Sequence, residues 1–335
     1  MSEKTPSLPW NKILAPYKKA DNRLAIWQLV NTAVPFFVLW YLMLVSLEVS
    51  YALTLLLALP TAGLSIRLFI FQHDCGHGSF FTSQRANHAL GSVLGVLTLT
   101  PYRYWRRTHA IHHATSGNLD RREFGDIRTL TVREYLSRPF WQRYGYRLYR
   151  NPVVLLLVGP AYQFLFKHRL PFDAPREWKK EWGSVIWNNL ALAAVALVMW
   201  QTIGLGRFLA VQLTISLLSG AIGVWLFYVQ HQFEDTYWEG RERWDFNTAG
   251  LEGSSFYDLP ALVHWFTGNI GYHHVHHLSS LIPNYRLRQA MEEVPELQHV
   301  TRITFFESLR CINLKLWDED ERKLVGFGHL RTIQA

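Results

Sequence analysis

The chain has 335 residues, of which 49% are hydrophobic and 18% charged, with a formal net charge of +8 and a mean hydropathy of −0.02. Its two cysteines are too few for a disulfide framework. The average hydropathy resembles that of a soluble protein, but four apolar windows together hold 87 residues and a single charge, Arg67, whereas the other 248 residues carry 59 charges. This distribution excludes a purely soluble protein and predicts an integral membrane protein with a large polar part.

The four apolar windows predict membrane-spanning helices. Their approximate bounds are 25–47, 51–71, 184–203 and 208–230. Each has the length of about 20 residues that a helix needs to cross a bilayer. Because only a few residues separate the first window from the second and the third from the fourth, we expect two tight helical hairpins. The polar segment 1–22 and the length of the first window argue against a cleaved secretory signal.

Lysine and arginine are distributed asymmetrically about these windows. Basic residues concentrate in the cytoplasmic loops of membrane proteins. If the N-terminus is inside, the segments 1–24, 72–183 and 231–335 lie on the cytoplasmic side and carry 32 of the 34 Lys and Arg residues. Topology therefore accounts for the positive charge, with anionic lipid headgroups as its natural partner. The sequence shows no basic face or motif typical of nucleic-acid binding, so nucleic acid is not expected as a partner.

Two shorter apolar runs, 89–99 and 152–166, are predicted to be interfacial or re-entrant, because their length is insufficient for a span. A crossing by 152–166 alone would also divide the neighbouring basic residues between the two faces of the membrane. The predicted architecture is an all-α integral membrane protein with four spans in two hairpins. We expect one domain over 1–335, with a helical cytoplasmic cap formed by 72–183 and 231–335.

Three histidine clusters carry the strongest functional signal. They hold eight of the 15 histidines and lie on the side predicted to be cytoplasmic from Lys and Arg alone. The clusters are His73 and His77; His109, His112 and His113; and His273, His276 and His277. On a helix, residues at i and i+4 lie about 40° apart around the axis and those at i and i+3 about 60° apart, so each cluster shares a face. Because a structural site takes about four ligands, eight imidazoles predict two metal ions, and imidazole alone leaves iron, copper, zinc and nickel open.

Other histidine-based functions fit this pattern less well. Zinc peptidases use HExxH, but Asp74 occupies the position of the required Glu. Haem held by two histidines would need pairs that face each other inside the spans, and a metal carrier would place ligands near the bilayer midplane. The four apolar windows contain neither histidine nor carboxylate. This absence argues against a histidine-rich membrane metal carrier, which remains the non-enzyme alternative.

The three boxes HxxxH, HxxHH and HxxHH, set among four spans, resemble those of the membrane fatty acid desaturase family. The resemblance extends from about Leu24 to His299. The segments Tyr104–His113 (YWRRTHAIHH), His231–Asp235 (HQFED) and Gly268–His277 (GNIGYHHVHH) are similar to those of the bacterial and cyanobacterial delta-12 (omega-6) type.

This resemblance implies a non-haem di-iron centre that uses O2 to remove two hydrogens from the acyl chain of a membrane lipid, leaving a cis double bond. An unactivated methylene offers no handle for acid–base chemistry, so a metal–oxygen oxidant suits the task. The implied iron ligands are His73, His77, His109, His112, His113, His273, His276 and His277. His231, at the end of the fourth span, is the candidate for a ninth ligand. The implied location is an inner or thylakoid-type membrane, with the active site on the cytoplasmic side.

The electrons for this reaction must come from outside the chain. The sequence shows no haem-binding, flavin, Rossmann or iron–sulfur motif, so the resemblance implies a ferredoxin-like or cytochrome donor that docks on the cytoplasmic face. A di-iron hydroxylase or ketolase of alkyl or carotenoid substrates is the enzymatic alternative. Such an enzyme shares the boxes, because the two reactions diverge only after the first hydrogen is abstracted.

Residues around the boxes are candidates for supporting roles. Metal-bound imidazoles usually donate their second N–H to a carboxylate or carbonyl, and the acidic candidates are Asp74, Asp126, Glu234, Asp235 and Asp258. The aromatic candidates for lining an acyl tunnel are Trp105, Trp225, Trp265 and Phe266. His274, about 100° off the face of His273, is expected behind the ligands or at the surface. We interpret His264 as structural and expect the following histidines at the surface or interface: His88, His168, His299 and His329.

Overall fold

The computed structural model describes residues 8–122 and 124–333, and it is mostly helical, as predicted. The helices are α1 (Trp10–Ile13), α2 (Asn22–Ser46), α3 (Tyr51–His77), α4 (Gln84–Leu97), α5 (Tyr102–Thr115), α6 (Val132–Leu136), α7 (Phe140–Tyr149), α8 (Gly159–Tyr162), α9 (Lys179–Thr202), α10 (Leu205–His231), α11 (Phe246–Glu252), α12 (Ala261–Phe266), α13 (His273–Leu278), α14 (Asn284–Glu293), α15 (Phe305–Cys311) and α16 (Leu330–Ile333). The strands are β1 (Leu130–Thr131), β2 (Phe256–Asp258), β3 (Arg302–Thr304), β4 (Leu316–Asp318) and β5 (Lys323–Val325).

Four helices, α2, α3, α9 and α10, are long and apolar enough to cross a membrane, and they match the four predicted spans. Each of them extends beyond its predicted window at one end or both, and α3 and α9 do so the most. α3 continues to His77, so the first histidine box belongs to the spanning helix instead of following it. α9 begins at Lys179, before the apolar window opens. Short turns join the members of each pair, as expected for two hairpins.

Local sequence signals determine the ends of the first hairpin. Asp21 caps α2 by accepting two backbone N–H groups of its first turn at 2.8 and 3.2 Å. Ser50 caps α3 in the same way. Gly78 has a φ of 75°, a left-handed conformation that glycine adopts readily, and α3 ends directly before it at His77. The first box is therefore held rigidly at a helix end.

α4 and α5 pack against the C-terminal part of α3. The hydroxyl of Tyr102, at the start of α5, donates to the carbonyl of Cys75 at 2.8 Å. Thr98, which follows α4, donates to the side-chain oxygen of Gln72 at 2.6 Å. These contacts bring the helix of the second box alongside the first box.

The apolar segment Val154–Lys167 is an irregular helix in which π-helical turns flank α8. It packs against α10 at Gly220, where a Cβ would lie 3.0 Å from Pro160 and 3.1 Å from Phe164. At about 1.5 Å per residue its 14 residues extend about 20 Å, which is less than the hydrocarbon core of a bilayer. This length agrees with an interfacial or re-entrant placement, which stays a prediction.

A buried guanidinium joins the cap to the end of α10. Arg150 is fully buried, and no acidic side chain pairs with it among the described residues. Five neutral oxygens accept its hydrogen bonds: the carbonyls of Arg128 and Leu314 and the side chains of Thr129, Tyr228 and Gln232. Since Gln232 directly follows His231, this network fixes the chain next to that histidine.

Short strands in the cap connect segments that are distant in sequence. β1 pairs in parallel with β4, β4 pairs antiparallel with β5, and β2 pairs in parallel with β3. The sequence analysis did not predict these strands. Strands of two or three residues are too short to show the alternation on which such a prediction depends.

Candidate metal centre

The first box occupies the last turn of α3. The rings of His73 and His77 lie on one face, with centroids 4.7 Å apart. Between them, a Cβ at Gly76 would lie 3.0 Å from the ring of Trp105. The absence of a side chain at Gly76 thus lets α5 approach α3 closely.

The second box, on α5, faces two neighbours. His109 and His113 lie on the side of the first box, and Trp105 stacks on His109 with centroids 4.5 Å apart. His112 points to the other side, where its centroid lies 4.9 Å from that of His231. The three histidines of α5 therefore face two different groups of histidines.

A tight turn before α13 positions the third box. The chain reverses direction at Gly268 and Asn269, whose φ angles are 53° and 58°, and the amide of Asn269 donates to the carbonyl of Asn284 at 3.1 Å. A Cβ at Gly271 would lie 2.5 Å from the carbonyl oxygen of Tyr257, so this position requires glycine. All the box histidines of α13 are buried.

The boxes and His231 form two adjacent groups of imidazoles, each with ring nitrogens within 4.8 Å of one another. The five-histidine cluster consists of His73, His77, His109, His113 and His276. The four-histidine cluster consists of His112, His231, His273 and His277. Among the residues that the structure describes, neither cluster includes a carboxylate. The structure thus brings together all nine histidines that the sequence singled out.

The ring nitrogens are arranged as they would be around metal ions. Nε2 atoms face each other at 3.0 Å between His113 and His276 and between His231 and His273. Further Nε2 atoms are buried without a hydrogen-bond partner, namely those of His77, His112 and His277. Buried ring nitrogens that converge with no carboxylate among the described residues are a donor set that a metal ion completes.

Burial keeps these rings in the form that binds metal. Desolvation lowers the pKa well below its usual value, and neighbouring imidazoles lower it further. The histidines concerned are His109, His113, His273, His276 and His277. A neutral imidazole offers the lone pair that a metal requires. The donor set therefore fits two metal ions, and it is compatible with iron, copper, zinc or nickel.

Hydrogen bonds from Nδ1 orient three of the histidines, which directs their Nε2 atoms into the clusters. The pairs are His112 with Asp126 at 2.6 Å, His73 with Asp74 at 3.1 Å, and His231 with the carbonyl of Gly253 at 2.9 Å. Asp74 also accepts two hydrogen bonds from Asn284, at 2.7 and 2.9 Å, which join α3 to α14. Of the other acidic candidates, Asp258 pairs with Arg302, and Glu234 and Asp235 are exposed.

Two further histidines lie near the third box but outside both clusters. His274 is buried near Leu297 and Ser255, and burial lowers its pKa to about 3. His264 accepts the backbone N–H of Leu259 at 3.3 Å and stacks on Tyr272. Both side chains are packed within the protein behind the ligand candidates.

One surface expectation was wrong. His168 is buried, between the carbonyl of Leu99 at 3.2 Å and the side chain of Gln163 at 2.9 Å. Contacts with Gln163, one turn earlier, and with Leu99, distant in sequence, cover this side chain.

Arg67, the charge inside the second predicted span, joins the first and third boxes. It is buried, donates to the hydroxyl of Thr32 at 3.0 Å and to the carbonyl of Trp265, and lies 4.4 Å from the centre of the Trp265 ring. A cation at this carbonyl stabilises the C-terminal end of α12, just before the turn that positions α13. Of the four aromatic tunnel candidates, Trp105 stacks on a box histidine, whereas Trp265 contacts Arg67.

The two clusters differ in exposure. All members of the four-histidine cluster are buried, whereas His77 and His109 of the five-histidine cluster are partly exposed. The segment 75–119 around this exposed edge contains four arginines and no acidic residue. Arg107 pairs with Glu181, but the other three arginines form no ion pair in the described part of the chain, so this segment contributes positive charge near the accessible edge of the centre.

Comparisons with known proteins agree with this geometry. The family model described as "Fatty acid desaturase" matches residues 48–308. A "Fatty acid desaturase" of Bacillus subtilis (strain 168) is 48% identical over 322 residues, covering 96% of this chain and 91% of that protein. The "sn-1 acyl-lipid omega-3 desaturase (ferredoxin)" of Nostoc sp. (strain 36) is 30% identical over 68% of this chain and 63% of its own length. The "sn-1 oleoyl-lipid 12-desaturase" of Picosynechococcus sp. is 26% identical over 68% of this chain and 65% of its own length.

Proposed function

The chain belongs to the fatty acid desaturase family and is an oxidoreductase, and from this premise we propose that it introduces a cis double bond into an acyl chain of a membrane lipid by means of two iron ions and O2. The observation that carries this proposal is the pair of adjacent histidine clusters, which include no carboxylate among the described residues. Because residues from 73 to 277 contribute to the centre, we propose residues 1–335 as one desaturase domain.

In this proposal the nine histidines of the two clusters hold the iron ions. When bound, the iron ions supply the oxidising power that removes hydrogen from an unactivated methylene. The protein's own contribution is orientation and exclusion of water. Asp126, Asp74 and the carbonyl of Gly253 fix the directions of three rings, and the burial of the four-histidine cluster keeps bulk water away from that part of the centre.

The membrane provides the substrate in this proposal. Two of the four long apolar helices lead directly into the centre, because α3 ends in the first box and α10 ends at His231. We propose that all four cross an inner or thylakoid-type membrane, with the centre on the cytoplasmic side, where the basic residues are concentrated. An acyl chain then enters from the bilayer past aromatic residues such as Trp105.

For the position of the double bond we propose the delta-12 type. The support is the similarity of the second and third box segments to that type, together with a relative whose name specifies a 12-desaturase. Relatives named omega-3 desaturases are also similar to this chain, so analysis of the product position is the deciding measurement.

We propose that an acidic, ferredoxin-like protein delivers the electrons at the exposed edge of the five-histidine cluster. Opposite charge accelerates the encounter of two proteins, and the segment 75–119, which contains His77 and His109, carries four arginines and no acidic residue. Two cyanobacterial relatives are named as ferredoxin-dependent. A cytochrome donor is the other outcome of a reconstitution experiment.

The central test is expression in a host with saturated and monounsaturated lipids, followed by lipid profiling by mass spectrometry. New double bonds are expected, at carbon 12 of monounsaturated chains. New hydroxyl or keto groups without unsaturation would replace the desaturase proposal by the hydroxylase or ketolase alternative.

A matched pair of variants tests the centre. His112→Ala is expected to lose iron and activity while still inserting into the membrane, because it removes a buried member of the four-histidine cluster. His299→Ala is the control, since His299 is exposed and belongs to neither cluster. Full activity of His112→Ala would contradict the ligand assignment.

A further inference from the structure

A cavity of about 260 Å³ lies in the cap, and none of the nine histidines of the metal centre lines it. α6 and α7 form one side of the cavity, and the C-terminal residues around α16 form the other. Its walls include Tyr135, Arg143, Arg147, Phe327 and Arg331. Three of these five side chains are guanidinium groups, so the cavity is suited to an anion.

Acidic residues lie near this cavity, since Asp318 contacts His329 between the lining residues Gly328 and Leu330, but none of them pairs with a lining arginine in the described part of the chain. No acidic residue occurs between Glu134 and Asp173, which includes all of α7, or in the segment 326–333. None of the three lining arginines takes part in an ion pair within the described part of the chain. Three positive charges around one cavity therefore repel one another unless an anion joins them.

The arginines of α7 are partly held in place without an anion. Nε of Arg147 donates to the hydroxyl of Tyr135 at 2.7 Å, and its guanidinium carbon lies 4.5 Å from the centre of the Phe327 ring. Both contacts leave the terminal amino groups of Arg147 without a hydrogen-bond partner among the described residues. Nε of Arg143 is buried and also has no partner. The site thus offers pre-positioned donors, which reduces the entropic cost of binding an anion.

The neighbouring face of α7 indicates where this anion comes from. Phe140, Trp141, Tyr144 and Leu148 are each more than half exposed. A helix face of exposed aromatic and apolar side chains that is flanked by arginines is typical of a helix that lies in the membrane interface. Only four residues separate α7 from the apolar segment Val154–Lys167, so α7 lies close to the level at which the chain enters the lipid.

We propose that this cavity binds the phosphate of an anionic phospholipid headgroup, with α7 lying in the interface and Arg143, Arg147 and Arg331 contacting the phosphate. A lipid with net negative charge suits three arginines better than a zwitterionic lipid, whose ammonium group they repel. The site lies apart from the metal centre and does not depend on the proposed reaction. It anchors the cap to the membrane surface through one lipid molecule.

The experiment uses the full chain in nanodiscs of phosphatidylcholine with an increasing fraction of phosphatidylglycerol. Native mass spectrometry after release from the nanodisc measures the fraction of protein that retains phosphatidylglycerol. The wild-type protein is expected to retain one such lipid. The double variant Arg143→Gln/Arg147→Gln is expected to need a phosphatidylglycerol fraction at least about tenfold higher for the same occupancy, because two attractive charges are removed.

The matched control is Arg121→Gln/Arg241→Gln, which removes the same charge from two exposed arginines of the cap that do not line the cavity. Equal losses in both double variants, or no loss in either, would overturn the proposal. If the first double variant does not fold, the same comparison is made between Arg331→Gln and Arg241→Gln. Inorganic phosphate and glycerol 3-phosphate are added as competitors. If either abolishes retention of phosphatidylglycerol at equal concentration, the site binds a soluble phosphate, and the proposal of a lipid ligand is overturned.

Discussion

Asp126 accepts a hydrogen bond from Nδ1 of His112 at 2.6 Å, and the other oxygen of its carboxylate is buried without a partner. The bond holds the ring so that Nε2 points into the four-histidine cluster. We expect Asp126→Ala to lower metal affinity or activity by about 10–100-fold, and Asp126→Asn to have a smaller effect because the amide oxygen can still accept. Metal content after equilibration with a graded series of chelator concentrations measures the affinity. Asp235→Ala is the control, since Asp235 is exposed; equal losses in the Asp126→Ala and Asp235→Ala variants would refute the role of Asp126.

His231 belongs to α10, which contributes to the four-histidine cluster alone. Its replacement by alanine removes one ligand from that cluster and leaves the five-histidine cluster complete. We therefore expect His231→Ala to reduce the bound iron from about two ions to about one per chain, as measured by elemental analysis of the purified protein. His274→Ala should retain both ions, because His274 is buried outside the clusters. A His231→Ala protein with two ions would remove His231 from the ligand set.

Arg85 and Arg103 are exposed, lie in the acid-free segment 75–119 and form no ion pair in the described structure. We expect the double variant Arg85→Glu/Arg103→Glu to raise the KM for an acidic ferredoxin several-fold and to weaken the dependence of the rate on ionic strength, because it reverses the charge that steers the donor. Steady-state assays with varied ferredoxin and salt measure both quantities. Turnover driven by dithionite should not change.

The comparison protein is Arg241→Glu, which reverses a charge on an exposed arginine outside this segment. An equal rise of KM in both proteins would show that the overall charge, and not this surface, attracts the donor. If dithionite drives no turnover of the wild-type protein, the proposed function itself is contradicted. Failure of the docking surface and failure of the proposed function are therefore distinguishable.

His168 is buried, and desolvation is the main reason that its pKa falls to about 3. The native state therefore keeps His168 neutral while the unfolded chain takes up a proton below the ordinary histidine pKa of about 6.5. Stability from this group is complete above pH 6.5 and decreases as the pH falls, by about 1.4 kcal/mol per pH unit. Thermal unfolding in detergent between pH 7.5 and 5.5 should show a smaller loss of stability for His168→Gln than for the wild-type protein. The exposed control His299→Gln should follow the wild type, and identical pH dependence in all three proteins would refute this account.

Spacing identified eight of the nine histidines, and the family resemblance suggested His231, but neither divided the nine between two clusters. His109, His112 and His113 share one face of α5 by spacing, yet His112 joins a different cluster from the other two. The division depends on how α5 is rotated between α3 on one side and α10 and α13 on the other. That rotation results from tertiary contacts such as the close approach of Trp105 to Gly76, which leave no periodic signal in the sequence.

The supporting residues show the same limit. Asp74 could be proposed because it lies inside the first box, and Asp126 because an acidic residue near a box is a plausible partner. Glu234 and Asp235 were candidates on the same grounds, but both are exposed. Asn284 follows the third box in sequence and donates two hydrogen bonds to Asp74. The sequence did not indicate this role, because an asparagine is common at the start of a helix, where it caps the backbone.

α5 and α13 each supply histidines to both clusters. A change in the tilt or rotation of either helix that brings its histidines closer to one metal position moves another of its histidines away from the second. The geometries of the two candidate metal positions are therefore coupled, because the same two helices contribute histidines to both. Substitutions that alter the packing of α5, even distant from the histidines, are expected to change both metals together, whereas changes on α10 act on one.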